Sequence, residues 1–214
     1  MVIPQISTKY SERERSYGRI AETISKVMSM KPGNYLAFFP SFDFMEKTFQ
    51  KLERASGIQV IRQSRFMKND DVERVLEELK GQMMPTLLMG VQGGVFSEGV
   101  DYPGKMVIGA FIIGPPLPNF DFEREGIKDF YQERYQKGFD YAYTYPAMAK
   151  AVQAAGRVIR SEKDKGIIIL MDDRFLDLRY SETMPDDWFI DHPRELVSQS
   201  ILNDLKNFWD KHHD

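Results

Sequence analysis

The chain has 214 residues, 29 Lys and Arg against 32 Asp and Glu, a net charge of −3 and a hydrophobic share of 42%. This is an ordinary soluble composition, long enough to bury the core of one domain spanning 1–214. The lack of cysteine excludes disulfides, thiolate nucleophiles and cysteine-held metal, and three histidines, two of them at 212 and 213, argue against a histidine metal site.

Ser11 and Glu14 have capping-box spacing and open a charged helix to about Met30, with Ile20, Ile24, Val27 and Met28 on its buried stripe. Lys31-Pro32-Gly33 ends it, and Asn34–Pro40 reads as a buried strand between breakers. Ser41 caps a helix to about Ala55 with Phe42, Met45, Phe49 and Leu52 on one face; Gly57 stops it before a strand at Ile58–Arg62. Asn69 opens an amphipathic helix with Val72, Val75, Leu76 and Leu79 inward, and Pro85 separates it from a strand at Thr86–Val91. A glycine-rich loop at 93–104 leads to the strand Met106–Ile113. Pro115, Pro116 and Pro118 make a stiff turn before a polar helix at Asp121–Lys137. A Tyr-rich stretch at 139–146 enters a helix from Pro146 to about Arg160, then the last central strand at Ile167–Met171 and a helix near Pro193–Lys211. Alternating strands and helices predict a parallel sheet covered on both faces.

No apolar run reaches membrane-spanning length and the N-terminus lacks a signal-peptide pattern, so a cytoplasmic protein without membrane association is expected. The mild acidity makes no global case for nucleic-acid binding but leaves room for a local basic strip. Gly99–Met106 nearly matches a phosphate-binding P-loop, but Met106 replaces the magnesium-binding hydroxyl, Pro103 stiffens the loop, and a strand follows where a helix is required.

Three constellations can carry chemistry. Gln153, Arg157 and Arg160 share one helical face in QAAGRVIR, with Gly156 leaving room for a ligand or backbone. Two guanidiniums and an amide suit a polyphosphate, while a solvated helix face with two arginines is the simpler explanation of the spacing alone. GGVFSEGVDYPG clusters four glycines with Ser97, Glu98 and Asp101 after a strand, where open α/β sheets bind ligands; a plain turn is the alternative. Ser41 at a strand-to-helix junction is either a phosphate site or an ordinary N-cap. Asp172 and Asp173 follow the last strand, as catalytic acids or as caps.

Taken in order, NYLAFFPSFDFME resembles motif IV of the DinG and xeroderma pigmentosum group D family of superfamily 2 DNA helicases. GGVFSEGVDYPG is similar to that family's motif V, and QAAGRVIRSEKDKGIIILMDDRF to its motif VI with the following strand. STKYSERERSY resembles the lead-in of bacterial members, and the likeness runs over about 8–180.

The resemblance implies a RecA-like fold and the second motor domain of an ATP-dependent helicase active in DNA repair. ATP and Mg2+ would be held mainly by a first RecA-like domain of the same polypeptide, and single-stranded DNA would cross both domains. It casts Arg157 and Arg160 as arginine fingers reaching the γ-phosphate and Gln153 as its sensor. Asp101, Gly99 and Gly156 would lie at the nucleotide. Ser41, Ser97 and Glu98 fall to the nucleic-acid side, and Tyr143 and Tyr145 to the DNA path, the cleft or the core. The chain alone is expected to hydrolyse no ATP, its cleft half-built and open with both arginines exposed. A non-enzymatic α/β nucleotide- or nucleic-acid-binding module is the alternative. A small-molecule enzyme built on Asp172, Asp173 and the glycine loop would instead need a closed pocket within the chain.

Overall fold

The computed structural model describes residues 1–52, 57–81, 83–159 and 164–211. Five strands, β1 (Tyr35–Phe39), β2 (Gln59–Arg62), β3 (Thr86–Val91), β4 (Gly109–Ile112) and β5 (Ile167–Leu170), form one sheet in the order β2-β3-β1-β4-β5. Every pairing is parallel. The central strands are short apolar runs, buried along their whole length because both faces are covered.

Side-chain alternation sorts each strand between two cores. Leu36, Phe38, Leu88, Ala110 and Ile112 face α3 (Asn69–Gly81) and α6 (Tyr145–Ala155). Tyr35, Ala37, Phe39, Leu87 and Phe111 face α1 (Arg13–Met30), α2 (Phe42–Phe49) and α8 (Ile201–Lys211). Between β3 and β4 lies the single turn α4 (Val95–Glu98), and α7 (Leu178–Ser181) follows β5. α5 (Phe122–Tyr135) buries none of its residues.

Several boundaries differ from the sequence expectation. Ser11 is not the N-cap of α1: the helix starts after Glu12, which gives no side-chain cap, and the preceding residues form a turn closed by Glu12 N–H on the Lys9 carbonyl. α2 ends at Phe49, where Lys51 and Leu52 turn back onto Thr48 and Phe49; its expected end at Ala55 lies outside the described residues. The Tyr-rich stretch is a π-helix, Asp140–Thr144, continuous with α6. The C-terminal segment splits into a short 3-10 turn, Pro193–Leu196, and α8.

The correction that matters most is at α6. The helix ends at Ala155, five residues before the expected Arg160, with Gly156 as its C-cap. Arg157 and Val158 close tighter turns on Ala154 and Ala155. Arg157 therefore leaves the helix and does not share a helical face with Gln153.

The N-terminal segment runs along the open edge of β5, where Val2 bridges Leu170 and Val197. Its end is pinned by a buried ion pair. Asp172, fully buried, accepts from Thr8 N–H (2.8 Å), Thr8 Oγ1 (2.6 Å) and Arg174 Nε (2.8 Å). Gly114 packs against this group at φ +62°, where an added Cβ would come 2.9 Å from Asp172 Oδ2 and closer still to Thr8 Oγ1. Gly114→Ala is expected to cost at least the ~1–2 kcal/mol of a left-handed non-glycine residue, read as a lowered urea midpoint.

Candidate active site and nucleic-acid edge

The carboxyl ends of β1, β3 and β4 meet at Gln92. Its backbone N–H extends the ladder to Phe39, and its side-chain Nε2 donates to the carbonyls of Ile113 (3.2 Å) and Gly114 (2.7 Å). Gly93 then turns at φ +81°, and Gly94 sits against the Gln63 amide, where a Cβ would come 2.6 Å from Nε2. Gln63 Oε1 accepts from Val91 N–H at 3.1 Å. Gln92 and Gln63, both buried, shape this loop without having been singled out in the sequence. A lone glutamine after a strand carries no pattern that marks it.

Ser97 is fully buried on α4, and its hydroxyl donates to the carbonyls of Val91 (3.2 Å) and Gly94 (2.9 Å). It braces the turn, and its side chain does not face solvent. Gly99 caps α4 through its N–H to Val95 at 2.8 Å, and Glu98 is exposed beside it. Tyr102 is buried and donates its hydroxyl to Phe96 O at 3.0 Å, anchoring the far end.

Arg157 spans this loop from the turn after α6. Nε donates to Ser97 O (2.7 Å), one terminal nitrogen to Val100 O (2.8 Å) and the other to Glu98 O (2.7 Å). The Asp101 carboxylate lies 3.6 Å from the guanidinium. Only 7% of Arg157 is exposed, so the expectation of two solvent-facing arginines fails for this one. The rigid donor fork of Arg suits three carbonyls splayed around a helix end, which also carry the negative pole of that turn. Arg160 lies outside the described residues. Gln153 and Gly156 are exposed next to the clamp. A Cβ on Gly156 would meet only ordinary contacts, at 3.5 Å from Val152 O, so that glycine ends the helix and no tight approach demands it.

Ser41 stands at the carboxyl end of β1, exposed, and its Oγ accepts Phe44 N–H at 3.2 Å as the α2 N-cap. Ser41→Ala is expected to cost about 1 kcal/mol, measured as a shift in the urea midpoint. Tyr143 is core: it is 1% exposed, and its hydroxyl donates to Glu125 at 2.6 Å. Burial, helped by Glu125, pushes that phenol up to about 12. Tyr145 is half-buried at the end of an aromatic column, edge-on to Tyr141, which stacks on Tyr131 at 4.1 Å and 3°.

Asp172 and Asp173 are committed elsewhere. Arg174 and Thr8 enclose Asp172, and Asp173 pairs with Lys9 at 2.9 Å. They do not meet the glycine loop in a closed pocket. Among the described residues no group of three or more His, Asp or Glu is placed to hold a metal ion, and no helix is long and apolar enough to cross a membrane.

The helicase C-terminal domain family matches residues 24–189. The chain belongs to that family. It is 25% identical over 195 residues to a probable ATP-dependent helicase of Methanocaldococcus jannaschii, covering 80% of this chain and 28% of the relative. It is 30% identical over 166 residues to the ATP-dependent DNA helicase chl-1 of Caenorhabditis elegans, covering 73% of this chain and 20% of the relative. The XPD subunit of the general transcription and DNA repair factor IIH of Dictyostelium discoideum is 26% identical, covering 86% and 25%. The chain thus spans about a quarter of the length of the curated relatives it matches. A solved XPD helicase superposes with a TM-score of 0.67 at 22% identity, over 85% of this chain and 32% of that one, which establishes the RecA-like fold. Within this helicase C-terminal domain, the glycine loop and the turn after α6 are the segments that resemble motifs V and VI.

Proposed function

We propose that this helicase C-terminal domain is the second motor domain of an ATP-dependent DNA helicase and completes an ATP site whose other half, with Mg2+, lies on a first RecA-like domain. The observation that carries the proposal is the Arg157 clamp. It ties the motif VI turn to the motif V loop by three charge-assisted hydrogen bonds, so a force on one is transmitted to the other. Arg157 is then a positioning residue. The finger role falls to Arg160, whose charge would offset the negative charge developing on the transferred phosphoryl group. Gln153, Gly156, Gly99 and Asp101, all exposed, would face the nucleotide. The loop, with Glu98 exposed and Ser97 as its brace, passes closure on to single-stranded DNA crossing the carboxyl edge at Ser41.

Cleft closure on ATP and release after hydrolysis then move one domain's grip on DNA relative to the other. The test is ATP hydrolysis with and without single-stranded DNA, by this chain alone and by the longer polypeptide that carries a Walker A domain. The chain is expected to be silent and the longer protein DNA-stimulated. Turnover by the chain alone would sink the half-motor reading.

A further inference from the structure

The loop between β2 and α3 lies outside the segments that resemble motifs IV, V and VI. Its residues Ser64–Lys68 read Ser-Arg-Phe-Met-Lys, and it emerges at the carboxyl end of β2, on the same sheet edge as Ser41 and Gly93–Gly94. Phe66 is 89% exposed, a large apolar ring with nothing packed over it. Arg65 stacks its guanidinium over Phe42, the first residue of α2, at 4.6 Å. A groove of about 680 Å³ runs between that helix start and the loop, lined by Gln63, Ser64 and Arg65 on one side and by Phe42, Asp43 and Glu46 among others on the other.

The charges beside the groove are unevenly balanced. The acids Asp43, Glu46 and Asp71 are each neutralised, by Lys47, Arg62 and Arg74. Arg65 and Lys68 form no ion pair among the described residues, and neither does Lys150, whose side chain lies against Gly93 across the edge. Gln63 links the two sides, two residues before Arg65 and in contact with Gly94. The edge therefore presents Arg65, Lys68 and Lys150, with Lys68 facing Asp71 as well, and one exposed aromatic ring. Exposed cations on either side of an exposed aromatic ring match a phosphate backbone with a base turned onto the ring. A folded protein partner would instead call for a broad apolar surface, whereas Phe66 is a single exposed ring between the exposed Arg65 and the partly buried Met67.

We propose that Phe66 is a base-stacking residue for single-stranded DNA and that Arg65, Lys68 and Lys150 hold the flanking phosphates. This assignment rests on the DNA-track reading above and extends it to residues outside the helicase motifs. The measurement is binding of fluorescein-labelled dT20 to the 214-residue chain across a salt series, with photocrosslinking of an oligonucleotide carrying 5-iodouracil. Phe66→Ala is expected to weaken binding roughly five- to hundredfold, the range for one stacked base, while Phe66→Trp restores it. Arg65→Ala and Lys68→Ala should each lower the slope of log affinity against log salt by about 0.7. The crosslink should map to Phe66. The ring is solvent-exposed, so unfolding temperatures should be unchanged, which separates lost contact from lost fold. If the wild type binds and crosslinks instead at Tyr135 or Tyr141 with Phe66→Ala unaffected, the assignment is overturned while the DNA track stands. If the wild-type chain binds no oligonucleotide at low salt, both fall together.

Discussion

Arg157→Ala is expected to destabilise the chain by about 3 kcal/mol, the scale for losing hydrogen bonds to a charged donor while stranding their acceptors. The carbonyls of Ser97, Glu98 and Val100 all lose their donor at once, and the residue that supplied them is buried. Arg157→Lys should rescue little, since an ammonium is a compact point donor and does not reproduce a planar fork with three separate targets. If the chain works within a two-domain motor as proposed, the same substitution in that longer polypeptide should lower ATP turnover and uncouple it from DNA, because loop and turn would no longer move together. Arg160→Ala provides the contrast. It should cost ~10³–10⁵ in turnover, the range for arginine fingers, while leaving stability and DNA affinity near wild type. Urea unfolding and DNA-stimulated ATP hydrolysis on both variants decide the matter. A stable Arg157→Ala chain with full DNA coupling would refute the clamp, and equal losses of turnover alone would restore Arg157 as a second finger.

The central strands β1, β3 and β4 were legible because each is an apolar run bounded by glycine, proline or polar residues, and parallel strands buried on both faces must look like that, whereas the edge strand β2 (QVIR) is only partly buried. Tyr35–Phe39 and Ile167–Leu170 fall within a residue or so of their expected limits. The end of α6 was not legible in the same way. Gln153 to Arg160 has helix-favouring composition apart from Gly156, and a single glycine is tolerated inside a helix or ends it according to what the next residue can bond. Here Arg157 bonds the motif V loop, 57 to 60 residues earlier in the chain, through backbone carbonyls that every residue type carries. No side-chain pattern announces such partners. The same applies to Gln92, whose amide reads the carbonyls of two neighbouring strands. Which residues of these two segments clamp, brace or stay exposed needed the fold.

Asp172, a catalytic acid or a cap by its sequence position, does cap the 3-10 turn Asp173–Leu176 through the Arg174 N–H, and its environment also makes it a stabilising anchor whose removal should be costly. It lies 164 residues from Thr8 in sequence, yet accepts two hydrogen bonds from it, and Arg174 supplies three more through its backbone N–H, Nε and a terminal nitrogen. Asp172→Ala leaves the Arg174 guanidinium buried without its counter-charge and frees the N-terminal segment from the end of β5. Breaking one partner of a buried ion pair costs about 3–5 kcal/mol. The Asp172→Ala, Arg174→Ala double variant should cost less than the two single losses added, because the second change removes the stranded charge. Burial by itself would raise the Asp172 carboxyl, but the hydrogen bonds and charge of Arg174, with those of Thr8, outweigh it and hold the group below its ordinary value. A carboxyl depressed in the folded state contributes stability that is complete above the unfolded value, about 3.9, and is lost as pH falls through the folded value. The urea stability of wild type minus Asp172→Asn should therefore be constant from neutral pH down to about 4 and shrink below it. Other depressed carboxyls, Glu125 and Glu195 among them, titrate in both proteins and cancel in the difference. A difference that holds steady into strong acid would show that Asp172 does not anchor the edge through its charge. A difference near zero at pH 7 would show that Thr8 and Arg174 hold the N-terminal segment without it.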